Sequence, residues 1–168
     1  MRSQTKLAQI ILGALIIVAV AVGAGYGATA TGSQTVTITA ANAIEITVPG
    51  AASISANAGV AGGCGTANTS ITVKSNKVWS MQIRANAANT GGKAKDASPT
   101  PVFLTNAFQW GTDGASYVAI TTAYADAFTA QAKTGSAGVS KTVYYKQCVT
   151  YDDDAGDYTI VAEYQASN

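Results

Sequence analysis

The chain contains no histidine. That absence excludes a Ser-His-Asp triad, a Cys-His nucleophile pair and nearly every hydrolytic metal site, because each needs an imidazole as base or ligand. Two cysteines without histidine also make a poor zinc set. Charge is scarce as well: Asp, Glu, Lys and Arg together make 11% of the residues, with no basic block. A nucleic-acid partner is therefore not expected. Gly62-Gly63-Cys64-Gly65 lacks the Lys-Ser/Thr that would grip a phosphate. Carboxylate pairs of the glycosidase kind are not excluded by spacing, but most acids fall in turns or at outward strand positions. The chain reads as a non-enzyme without a cofactor.

What the sequence does have begins at its N-terminus. Arg2 and Lys6 precede an apolar run from Ile10 to Gly25, which ends near Ala28-Thr29-Ala30. A basic start, an apolar stretch and an A-x-A site describe a secretory signal. The run lies between the about 7–15 residues of a signal and the roughly 18 or more of a spanning helix. The flank decides in favour of a signal peptide over residues 1–30, cleaved after Ala30, because strand-like sequence begins at Thr31. An uncleaved anchor, which would make the leader the only membrane contact, and a pilin-type leader are the alternatives. The expected location is the exterior, secreted or at the cell surface. No second run is long enough to span a bilayer.

Residues 31–168 have the length of one domain with an adequate core. Without Arg2 and Lys6 the ten cations fall to eight, against nine carboxylates, a net charge of −1. In an exported chain the even cysteine count favours a Cys64–Cys148 disulfide. Closing a loop of more than about 80 residues is worth about 4–5 kcal/mol in the chain-entropy picture. Two free buried thiols are the competing reading.

The pattern beyond the leader is β. "TVTITA" (35–40) sets Val36 and Ile38 on one face, and "AIEITV" (43–48) sets Ile44, Ile46 and Val48 on one face. "TSITVK" (69–74), "VWSMQIRA" (78–85), "SKTVYYKQCVT" (140–150) and "DYTIVAEYQA" (157–166) alternate in the same way. Weaker strands are expected at 101–104, 107–110 and 116–120, and 124–133 fits either a short helix or strand and loop. Residues 85–100 read as a long polar loop. Pro49-Gly50, Gly91-Gly92, Asp113-Gly114 and Ala155-Gly156 are turn signals. Short strands with frequent turns predict an all-β, immunoglobulin-like antiparallel sandwich, with the disulfide and a buried Trp79 tying its sheets.

Few residues offer binding chemistry. Asp152, Asp153, Asp154 and Asp157 supply oxygens of the kind calcium takes; as Asp and Gly are ordinary turn residues, a solvated, dispensable hairpin turn is the favoured reading. Asn68-Thr69-Ser70 is a glycosylation sequon. Trp110, beside the "GTDG" turn, and Tyr144, Tyr151 and Tyr158 are candidates for stacking on sugars, although core packing is the commoner fate of aromatics.

"VWSMQIRA" and "AGDYTIVAEYQAS" resemble the two landmarks of WxL-type surface domains, with Trp79-Ser80-Met81 at the first and Tyr164-Gln165-Ala166 at the second. The outline of leader, alternating N-terminal strand and sandwich is also similar to spore-coat-U-like proteins and to fibre subunits that assemble by donor-strand complementation. The resemblance implies an exported, non-catalytic structural protein whose partners are copies of itself, as a homopolymer, or cell-envelope polymers; a glycan-binding module is the alternative. The exported protein is expected to begin at Thr31. N-terminal sequencing checks this, and a mass that retains residues 1–30 overturns it.

Overall fold

The computed structural model describes residues 33–60 and 62–168. The expected leader lies outside them. Among the described residues the fold is all-β, with eight strands in two antiparallel sheets and one short 3-10 turn, Thr90–Gly92. The strands are β1 (Ile44–Thr47), β2 (Cys64–Ser75), β3 (Trp79–Ala85), β4 (Gln109–Gly111), β5 (Val118–Ala119), β6 (Ala125–Gln131), β7 (Val139–Cys148) and β8 (Ala162–Ser167). One sheet has the order β1-β2-β7-β4-β5, and the other the order β6-β3-β8. The chain divides into two units, one ending at Ile38 and the other running Thr39–Asn168 and containing every strand.

Period-two alternation builds the core between the sheets. Trp79, Met81, Ile83 and Ala85 of β3 are fully buried, as are Ile71 and Val73 of β2 and Val143 of β7. Successive residues of a strand face opposite ways, so each of these strands gives one apolar face to the sandwich and one polar face to water. Trp79, expected in the core, is 1% exposed, and its Nε1–H donates to Ala132 O at 3.0 Å. The indole thus buries its ring and satisfies its single donor. Phe108 and Tyr145 pack with ring centroids 5.4 Å apart.

One open reading is settled and two expectations change. The segment 124–133, which fitted either helix or strand and loop, is strand: β6 pairs with β3, and a bulge at Ala130 (φ 49°) shifts the register between Trp79 and Met81. The segment 35–40 enters no ladder, despite its alternation. The disulfide is present, but it does not tie the sheets together. Cys64 lies directly opposite Cys148 in the β2–β7 ladder, so the bridge joins two neighbours of one sheet. A contact between the sheets comes instead from the hydroxyl–hydroxyl hydrogen bond of Tyr145 on β7 with Tyr164 on β8.

The expected polar loop at 85–100 is pinned by one side chain. Asn89 is 2% exposed. Its Nδ2 donates to Lys93 O and Thr159 O, both at 3.1 Å, and its Oδ1 accepts from Val161 N–H at 3.1 Å. One buried amide therefore satisfies three backbone groups from two separate segments. Asn89→Ala strands Lys93 O and Val161 N–H, while Thr159 O keeps the Lys95 N–H, and is expected to lower unfolding free energy by about 2–4 kcal/mol. Urea denaturation monitored by tryptophan fluorescence checks this; an unchanged midpoint overturns the assigned role.

Candidate functional site

The aspartate turn, the sequon and the aromatic residues occupy unrelated places. Asp152, Asp154 and Asp157 are exposed. Asp153 is different, because its carboxylate clips two loops together. Oδ1 accepts from Thr105 N–H at 2.6 Å, and Oδ2 accepts from Thr150 N–H at 2.8 Å and from the Thr150 hydroxyl at 3.3 Å. This is a correction to the dispensable-turn reading, since Asp153 holds the turn to the 105 loop. Among the described residues no group of three or more His, Cys, Asp or Glu side chains converges in a way that would hold a metal.

Asn68 stands exposed on the outer face of β2, opposite Tyr144 of β7. Trp110 is a second correction. It lies on the core face of β4 at 5% exposure, opposite Tyr145, so its ring is not available to a sugar. Nor do the tyrosines make a row. Tyr144 lies on the outer face of β7, Tyr151 is 85% exposed in the turn, and the Tyr158 hydroxyl donates to Asp154 O.

The site that sequence reasoning missed is a sheet edge. Asn86 N–H donates to Val161 O at 2.8 Å, and the β3–β8 register continues through Arg84↔Glu163, Gln82↔Gln165 and Ser80↔Ser167. In an antiparallel pair, residues alternate between bonding the partner and facing away from it. Glu163, Gln165 and Ser167 therefore bond β3, while Ala162, Tyr164 and Ala166 turn their N–H and C=O groups to the free side. None of those outward groups has a protein partner among the described residues. The side chains of the same three residues pack against the core but stay half-buried.

β1 approaches β8 on this flank. The same parity holds there: Asn76 N–H donates to Ala43 O, so Ile44 and Ile46 direct their backbone groups away from β2. Their side chains are half-buried beside the core. The signal in the sequence was the closing "AEYQAS", whose inward Ala162, Tyr164 and Ala166 alternate with polar residues up to the chain's last residues. The outer face of β8 is electrostatically closed. Glu163 accepts from Asn86 Nδ2 and, at 2.7 Å, from Arg84 Nε, and these hydrogen bonds hold its carboxyl below the usual range. Arg84 in turn lies 4.3 Å from the centroid of the Tyr124 ring.

The N-terminal unit contributes one further feature. Val36 is 71% exposed and Ile38 is 87% exposed. The stretch from Ser33 to Ala43 has no charged residue and no proline. Within the second unit, Asn76 Nδ2 donates to Ala41 O, Asn76 Oδ1 accepts from Ala43 N–H, and Asn168 Nδ2 donates to Ala43 O.

No family model, curated protein or solved structure matches the chain.

Asp153 gives a test by pH. Desolvation raises its carboxyl pKa, but the hydrogen bonds from Thr105 and Thr150 outweigh that and leave it below the ordinary value. A carboxyl whose pKa is depressed by folding stabilises the fold above its unfolded pKa of about 3.9, and the contribution is lost as pH falls through the lower folded value. Asp153→Asn is therefore expected to melt several degrees below the wild type at pH 7. The gap should narrow on acidification below about pH 4. A constant gap, or none, in melting curves across that range rejects the clip.

Proposed function

We propose that the chain is an exported, non-catalytic structural protein of the cell surface, an immunoglobulin-like sandwich that assembles with copies of itself into a fibre or an envelope layer. The observation that carries this reading is the N-terminal arm. Its side chains alternate as a strand's do, two apolar ones stand in water, and no ladder includes it. A neutral, alternating segment without a partner is a strand in search of a sheet. The leader of residues 1–30 and the disulfide support an oxidising, extracellular destination. The hydroxyl-, amide- and alanine-rich surface supports a structural role, and the lack of histidine supports a non-catalytic one. The glycan-binding alternative loses its main support with the burial of Trp110.

Electron microscopy and sedimentation velocity of the purified exported protein test the reading. Filaments or a ladder of oligomers growing with concentration are the expected result. A monodisperse monomer at high concentration overturns it.

A further inference from the structure

Assembly through an arm requires an acceptor, and the four sheet edges are not equivalent. We infer that the acceptor is the free edge of β8, which takes residues 35–40 of a second copy as a fourth strand beside β6-β3-β8. This rests on the self-assembly reading above and names its partner surface.

Three of the four edges are poor templates. β5 is two residues long. β6 is broken by the Ala130 bulge, which uses Ala130 N–H on the Ser80 hydroxyl and re-aims the strand; bulges of this kind are a recognised way of blunting an edge. β1 has four residues and offers only Ile44 and Ile46 to its free side. β8 is six residues long, in unbroken register with β3, without proline, and its one charge, Glu163, is engaged on the outer face by Arg84 and Asn86. No bulge, proline or unpaired charge protects it.

The chemistry on the two sides matches. Ala162, Tyr164 and Ala166 present three N–H and three C=O groups at every second residue, and an added strand satisfies them with its own. The half-buried Tyr164, Ala166, Ile44 and Ile46 give an apolar surface along the same flank. Val36 and Ile38, two residues apart on one face, supply the apolar pair to cover it, and the arm brings no charge to be desolvated. The occupant is a second copy because the arm joins no ladder within its own chain, although Asn76 and Asn168 tie the following Ala41 and Ala43 near the end of the chain's own β8. Each subunit then gives one strand and takes one. Such a head-to-tail contact is heterologous and builds a chain of subunits, an open filament or a closed ring, rather than stopping at a two-fold dimer.

Parity supplies a substitution that separates acceptor from fold. Ala166 N–H points to the free edge, so Ala166→Pro removes a donor from the acceptor while leaving the β3–β8 hydrogen bonds in place. Val36→Asp with Ile38→Asp disables the arm at positions exposed in the monomer. Sedimentation velocity of the full exported chain is expected to show polymers for the wild type and monomers for either variant. An equimolar mixture of the two is expected to stop at dimers, one intact arm on one intact edge.

Hydrogen exchange on the unsubstituted protein is an independent measurement, needed if Ala166→Pro fails to fold. The amides of Ala162, Tyr164 and Ala166 are expected to be protected at least tenfold more in the polymer than in monomer isolated at low concentration. Polymers of folded Ala166→Pro, a mixture that gives no dimer, or equal exchange at those amides overturns the β8 acceptor while leaving self-assembly standing. A wild type that never polymerises overturns both.

Discussion

The ladder between β2 and β7 is the pairing from which the rest of the larger sheet is hung. It runs in unbroken register from Cys64↔Cys148 to Val73↔Val139. β1 can add only to the free side of β2, and β4 only to the free side of β7, so neither has a place until the central pair has formed. Its two strands are far apart in sequence, and the chain must close a loop of 84 residues to bring them together. Loop closure of that kind is an entropic cost met before any contact rewards it. The Cys64–Cys148 bridge sits at the first rung and removes the cost from the unfolded ensemble. Its position within one sheet follows from that role: it fixes the register of the least local pairing, and leaves the sheet-to-sheet contact to Trp79, the apolar core and the two tyrosine hydroxyls.

A chain so poor in charge ties several of its loops with asparagine, beside the carboxylates of Asp96, Asp113 and Asp153. Asn76 splices the segment before β1 onto the β2–β3 turn, and Asn168 reaches the same Ala43 carbonyl from the end of β8. Asn89 joins the 86–93 loop to Thr159 and Val161, while Asn106 Nδ2 donates to Cys148 O beside the disulfide. An amide carries two donors and an acceptor without the desolvation cost of an ion, so it can be buried among backbone groups where a lysine or glutamate could not. The two ion pairs of the described residues, Lys74–Glu45 and Arg84–Glu163, lie on outer faces, where such pairs contribute little. The surface thus stays neutral while the loops stay fixed.

Much of this was legible in the sequence, and parity explains which parts. Ile44, Ile46, Trp79, Met81 and Ile83 were readable as inward because their neighbours are polar. Parity also contained the position of the disulfide: with Val143, Tyr145 and Gln147 inward, Cys148 must face outward and cannot reach the other sheet. Trp110 was misread because the turn beside it suggested exposure, whereas its place opposite Tyr145 is set by strand order, which no local pattern reveals. The alanine-rich 124–133 segment was ambiguous for the same reason. Its conformation is decided by the pairing with β3, not by propensity. The Asp153 clip depends on Thr105, 48 residues away in the chain.

The segment at 35–40 exposes the boundary between pattern and partner. Alternation specifies which face of a strand wants burial, but a strand exists only where a second backbone supplies hydrogen bonds. Inside this chain the candidate sites are unequal: one edge is bulged, one is two residues long, one is short, and one is regular and bare. An edge left bare in a freely diffusing monomer is a hazard that folded proteins ordinarily remove. β6 shows that this fold contains the means to remove it, in the register shifts at Ala130 and again between Phe128 and Asp126. The asymmetry between β6 and β8 lies within one three-stranded sheet, built on the same β3. Edge protection on one side and its absence on the other, beside half-buried Tyr164 and Ala166, is what the proposed assembly requires, growth directed to a single edge and hence a polarity.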